Sequence, residues 1–171
     1  MPTNQFAIKI CIIEGPDGAG KTTLAKRIAE KSGLPYVHMG PPDPADPDLI
    51  LAYRDRLVEG GVIDRLALSE RIYGPLLRGE DRIGDRGWDE IQNHMVAAGA
   101  VQVLCLPPPD ACLKAWRSER AQLFRSDAAF WETYARYSWW SRRIPGMIVY
   151  DWTSKWAEER EEWILKKLGA R

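Results

Sequence analysis

Asp17, Lys21, Thr22, Asp64 and Arg65 are the side chains whose types and spacing best support chemistry in this sequence. The first three lie in Gly15-Pro16-Asp17-Gly18-Ala19-Gly20-Lys21-Thr22-Thr23, which has the spacing G-x-x-x-x-G-K-[ST]. Its glycines let backbone N–H groups turn inward around an anion. A helix starting near Lys21 directs its positive dipole end at the same point. The lysine reaches β- and γ-phosphates, and the Thr22 hydroxyl is placed for Mg²⁺. Residues 15–23 therefore read as a loop around a nucleoside triphosphate. Asp17 is the unexpected member, since the turn itself requires no carboxylate there. Facing a triphosphate, it is electrostatically unfavourable unless it serves a second substrate or a cation.

Asp64 and Arg65 open the stretch "DRLALSERIYG", at the end of an apolar run. A strand-end carboxylate suits Mg²⁺ or its water shell, and an adjacent guanidinium can hold a phosphate through paired hydrogen bonds. A surface ion pair is the plainer alternative. Arg117, Arg120 and Arg125 fall within "RSERAQLFR". Arginines brought in on a lid could stabilise the charge that develops as a phosphoryl group moves. The alternative is a solvated helix face on which Glu119 pairs with one of them. His38 and His94 suggest no Ser-His-Asp set, and transfer between phosphates needs no protein nucleophile.

The elements that must position these groups alternate between apolar runs and helical patterns. Strands are expected over 6–13, 36–39, 62–64, 101–106 and 147–150. Helices are expected over 22–31, 48–59, around Trp88–Met95, from Asp110 as cap through Arg120, near 128–142 and over 155–168. Residues 66–86 read as less regular, rich in arginine and glycine. The pattern specifies one domain over 1–171: a three-layer α/β sandwich with a five-stranded parallel sheet.

Lysine plus arginine equals aspartate plus glutamate at 24 each, so bulk charge argues for neither nucleic acid nor anionic membrane as partner. Neither a secretory signal nor a bilayer-spanning run is present, and the expectation is a cytoplasmic protein. The three cysteines, Cys11, Cys105 and Cys112, read as small core residues. Trp131, Trp139, Trp140, Trp156 and Trp163 read as core and helix packing, while Trp152 at a strand end could instead line an adenine.

"EGPDGAGKTT" together with "DRLALSERIYG" resembles the thymidylate kinase-like branch of P-loop nucleotide kinases. "VLCLPPPDACLKAWRSER" is similar to that family's fourth strand, proline turn and arginine-bearing helix, and "DRxxxSExxYG" to small phage-encoded nucleotide kinases. The resemblance implies strand order 2-3-1-4-5 and transfer of the γ-phosphoryl of Mg²⁺–ATP to a (deoxy)nucleoside monophosphate. It implies that Lys21 and the loop amides hold the donor, that Thr22 and Asp64 organise Mg²⁺, and that Arg65 holds the acceptor phosphate. Asp17, Ser69 and Tyr73 would face the acceptor, and a lid would span about 117–127. Leu66 stands where the family usually has an aromatic or histidine ring, and 70–87 lacks a glutamine pattern for thymine. A nucleoside or a hydroxymethylated base in DNA stays open as acceptor, as does a nucleotide-dependent switch. The partner expected is a small nucleotide, with a homodimer left open.

Overall fold

The computed structural model describes residues 9–43, 45, 48–118 and 126–170. Its strands are β1 (Ile10–Glu14), β2 (Tyr36–His38), β3 (Gly61–Asp64), β4 (Val101–Cys105) and β5 (Ile148–Tyr150). They form one all-parallel sheet in the order β2-β3-β1-β4-β5, as expected. Helices cover both faces: α1 (Lys21–Ser32), α2 (Leu49–Glu59), α3 (Ala67–Arg78), α4 (Gly84–Ala97), α5 (Pro109–Ser118), α6 (Asp127–Trp140) and α7 (Ala157–Lys167). Parallel strands covered on both sides must be apolar throughout, and β1 is buried at every position. The register sets Ile13 beside Asp64 and Glu14 beside Leu104, so three strands end together where the chain turns into α1.

The strand expected over 6–13 is seen from Ile10, its first residues lying outside those described, and it runs on to Glu14. Residues 66–86 are more regular than expected: α3 and the start of α4 occupy them. Polar groups hid the helical period, because Ser69 and Glu70 are buried on α3 beside Leu68, Ile72 and Tyr73. Gly74 and Pro75 within the helix obscured it further. Asp110 sits in the first turn of α5, which begins at Pro109, rather than capping it. Ser126 caps α6 by accepting from the Ala129 N–H.

The three cysteines are free and buried, as read from the sequence. The tryptophans are not: Trp131, Trp139, Trp156 and Trp163 are each more than two-fifths exposed, and only Trp140 of that group is partly buried. Three of the exposed rings carry a cation over the ring, with Arg143 over Trp139, Lys155 over Trp156 and Lys167 over Trp163. Among the described residues, no helix is long and apolar enough to cross a membrane.

Gly18 and Gly33 both hold left-handed backbone, at φ 76° and 71°, yet their surroundings differ. A Cβ at Gly18 would lie 2.5 Å from the Cys112 carbonyl oxygen and 2.6 Å from the Trp116 nitrogen, both on α5, whereas nothing lies within 4 Å of one at Gly33. Gly33→Ala should cost about 1–2 kcal/mol of stability from its backbone alone. Gly18→Ala should lose about 2–5 kcal/mol, because α5 must also move. Urea unfolding of both variants measures the difference, and equal losses would mean that the loop does not depend on α5.

Candidate functional site

The loop between β1 and α1 is pressed between backbones. A Cβ at Gly15 would lie 2.3 Å from the Cys105 carbonyl oxygen at the end of β4. The Cys112 thiol on α5 donates to the Asp17 carbonyl oxygen at 3.3 Å, and the Ala19 N–H donates to Pro16 O at 3.2 Å. Lys21 is buried and curls back over the loop, its Nζ donating to Pro16 O at 2.6 Å. Burial, and next the nearby Arg65 charge, bring its ammonium down to about 8. Asp17 Oδ1 lies 3.8 Å from the same Nζ, and a phosphate in the loop would give that buried cation a second anionic partner. Thr22 and Thr23 stand exposed at the start of α1, and Trp152, just beyond β5, has Cδ1 3.1 Å from where a Gly20 Cβ would be. The indole thus borders the exit of the loop, where the sequence left open a place beside the donor base.

Asp64, fully buried at the end of β3, serves this loop from below. Its Oδ2 accepts from the Thr22 hydroxyl at 2.6 Å and the Tyr36 hydroxyl at 3.1 Å, and lies 3.2 Å from His38 Nδ1. Its Oδ1 is buried without a hydrogen-bond partner. A hydroxyl beside a carboxylate with one oxygen to spare fits Mg²⁺, a hard cation that takes few protein ligands and completes its shell with phosphate oxygens and water. No cluster of three His, Cys, Asp or Glu residues occurs among the described residues.

On the other side of the loop opens a cavity of about 300 Å³, with Asp17, Arg65, Ser69 and Tyr73 at one part of its wall. Asp17 and Arg65 form an ion pair in which both side chains are largely buried. Arg65 lies 5.1 Å over the Tyr73 ring, and the Asp17 N–H donates to the Tyr73 hydroxyl at 3.1 Å. Asp17 Oδ2 has no partner and is buried, so the carboxylate can accept from a bound molecule without leaving Arg65. Arg65 is the one positive-φ residue other than glycine among those described, at 74°, its N–H donating to Ile13 O.

Ser69 lines the cavity, but its hydroxyl donates to Glu14 Oε2 at 2.5 Å, and Glu14 Oε1 accepts from the Leu66 and Ser69 N–H groups at 2.8 and 3.3 Å. The Tyr137 hydroxyl, from α6, stands 3.0 Å from the same Ser69 oxygen. Ser69 thus ties α3 to β1 and α6 besides facing the cavity. Burial pushes the Glu14 carboxyl up, against the hydrogen bonds it accepts.

Asp17, Lys21, Thr22, Asp64, Arg65, Ser69 and Tyr73 therefore meet around one loop. Arg117 does not join them: it is exposed on α5 and paired with Asp127. Arg120 and Arg125, with most of the segment read as a lid, lie outside the described residues. The sequence reading missed Tyr36, His38, Glu70, Arg78 and Tyr137. Of these only Glu70 carried a signal, because it falls within the quoted DRLALSERIYG stretch.

No protein-family model matches the chain. It is 38% identical over 119 residues to a cytidylate kinase of Nitratidesulfovibrio vulgaris (strain DP4), which covers 64% of this chain and 48% of that protein. The chain thus spans about half the length of the curated relatives it matches. Among solved structures, the YorR protein of Bacillus subtilis in complex with phosphorylated GDP superposes with a TM-score of 0.78 at 18% identity, covering 94% of this chain and 95% of that one. The fold is that of the P-loop kinases. Deoxyadenosine kinase from M. mycoides with bound dCTP gives a TM-score of 0.59 at 17% identity over 96% of this chain and all of that one. A gluconokinase from Sinorhizobium meliloti 1021 gives 0.60 at 16% identity, covering 95% and 93% of the two chains.

Within the P-loop, Lys21 is the side chain whose charge a bound polyphosphate would meet first. Lys21→Ala should sharply weaken the binding of ATP and leave the circular dichroism spectrum unchanged, because the side chain bonds only within its own loop. A variant that binds ATP as the wild type does would remove Lys21 from the site.

Proposed function

We propose that this protein transfers the γ-phosphoryl group of ATP to a (deoxy)nucleoside monophosphate, giving ADP and the diphosphate. The observation that carries this reading is the buried Asp17–Arg65 pair on the boundary between the P-loop and the 300 Å³ cavity. A carboxylate inside a phosphate-binding loop repels the donor, unless an arginine holds it away for a second molecule. The kinase names of the curated relative and of two structural neighbours support phosphoryl transfer as the reaction class. The match to a cytidylate kinase supports a monophosphate acceptor.

The residues divide the work as follows. Loop amides and Lys21 hold the donor phosphates and offset the charge that spreads over the transferring group. Thr22 and Asp64 would hold Mg²⁺, which when bound neutralises and orients those phosphates. Arg65 grips the acceptor phosphate, and the free Oδ2 of Asp17 accepts from the sugar side of the acceptor. An acceptor oxygen then bonds to the γ-phosphorus as the bond from phosphorus to the β,γ-bridging oxygen breaks and ADP leaves, with no protein nucleophile. Arg117, Arg120 and Arg125 are assigned to closure over the donor, for which Arg117 must leave Asp127. Trp152 borders the donor base.

A nucleoside acceptor is the second reading, favoured by one feature: Arg65 is already paired with a carboxylate, and Asp17 has an oxygen free to take a hydroxyl proton. A panel of nucleosides and monophosphates with Mg²⁺–ATP, reading ADP and each product, separates the two. Product mainly from nucleosides, or ADP without any acceptor, overturns the monophosphate reading. Losing a hydrogen bond to a charged group costs about 1.5–3 kcal/mol, so Arg65→Ala should weaken acceptor use by on the order of 10- to 100-fold. Asp17→Asn should do likewise, with ATP affinity kept in both. Collapse of ATP affinity with acceptor saturation unchanged would place the pair on the donor side.

A further inference from the structure

The wall of the acceptor cavity carries a second ion pair that the transfer chemistry leaves unused. Glu70, in the first turn of α3, and Arg78, at its end, both line that wall. They are eight residues apart, about 12 Å along a helix axis, so Arg78 must fold back over two turns to meet the carboxylate. Its Nη2 donates to Glu70 Oε1. The helix makes room for this: a Cβ on Gly74 would lie 2.8 Å from Glu70 Oε1 and 3.1 Å from Arg78 Nη2. The Glu70 side chain is 1% exposed and that of Arg78 26%, so the carboxylate forms the floor of this wall and the guanidinium its rim.

Burial of a carboxylate is unfavourable unless its oxygens are used. Oε1 is taken by Arg78, and Oε2 has no protein hydrogen bond among the described residues. Tyr53 on α2 stands beside it, its phenol pushed upward by burial and then by the Glu70 charge, yet it forms no hydrogen bond to Glu70. Met39, Pro41, Pro42 and Leu77 supply apolar lining to the same cavity. The cavity thus joins a phosphate-gripping arginine at the P-loop to an apolar slot ending in one free acceptor and a fork of donors.

We infer that Glu70 and Arg78 read the base of the acceptor nucleotide, and that the base they fit is cytosine. This rests on the monophosphate reading above and deepens it. A carboxylate only accepts and a guanidinium only donates. One free carboxylate oxygen beside several guanidinium N–H groups therefore presents acceptor, donor, donor in sequence. Along its pairing edge cytosine offers the complement: an amino donor, then a ring-nitrogen acceptor, then a carbonyl acceptor. The amino group meets Glu70 Oε2, and the ring nitrogen and carbonyl meet Arg78. Thymine and uracil offer one imide donor between two carbonyls, and with the arginine on one side only, one carbonyl is left facing no donor. Guanine offers two adjacent donors, but Oε1 is already committed to Arg78. Adenine fills two of the three positions and ranks second.

The test measures kcat/KM for dCMP, dAMP, dTMP and dGMP with Mg²⁺–ATP, and the direct binding of dCMP and dTMP by calorimetry. The wild type should prefer dCMP to dTMP and dGMP by at least about 10-fold, the effect of one charged hydrogen bond left unmade. Glu70→Gln should bring that preference within about threefold, mainly through KM. Arg78→Lys, which keeps the charge that Glu70 needs but loses the fork, should weaken dCMP about 10-fold while ATP binding and unfolding temperature hold. A purely structural pair would move the unfolding temperature and leave the order of bases untouched. Transfer to monophosphates with dTMP or dGMP preferred, or an order unchanged in both variants, overturns the base assignment alone. Transfer to none of the four, with neither nucleotide bound, overturns the monophosphate reading and this assignment with it.

Discussion

The loop between β1 and α1 exists in this form only because no side chain intrudes between it and its neighbours. At Gly15 the loop backbone meets the end of β4, and at Gly18 it meets α5, each at a distance that leaves no room for a methyl group. That contact is between backbones, so its geometry is as rigid as the sheet itself. It fixes where the loop amides point, where α1 begins and which side chains arrive from β3. This packing brings Lys21, Thr22 and Asp64 together around one loop.

A second tie brings the acceptor side into the same frame. Glu14 closes β1 and receives the first N–H groups of α3, so the helix that carries Ser69, Glu70, Tyr73 and Arg78 starts from the strand that carries the P-loop. Tyr137 extends the network to α6, the helix that follows the arginine-rich segment. The network is fully buried, and a buried network constrains geometry only when its members find partners. Its effect is to tie the cavity-lining helix α3 to the strand that leads into the P-loop.

How much of this could be read from the sequence depends on how local each signal is. The P-loop spans consecutive residues and acts through its backbone, so nine residues from Gly15 to Thr23 announce it. The strands are short apolar runs, legible one by one, while their order came only from the resemblance to P-loop nucleotide kinases and not from the runs themselves. The helix α3 was not legible, because its buried face carries Ser69 and Glu70 where periodicity looks for apolar residues. The partners of Asp64 came from β2, and Arg78 reached Glu70 across two turns, which spacing alone does not reveal. The exposed tryptophans misled for the opposite reason: hydrophobicity scales read their rings as core, while cations over their faces let them remain at the surface.

The left-handed backbone of Arg65 has a consequence for how this site can change over time. A long side chain at φ 74° is held in a conformation that glycine or asparagine would occupy with less strain. Substitutions that relax the chain at this position are therefore the same ones that remove the guanidinium from the cavity. Under the proposed function, backbone strain and use of the guanidinium pull the position in opposite directions. Among descendants of this protein, loss of the arginine in favour of a small residue would then mark lineages in which the cavity no longer needs that charge, and its retention those in which it does.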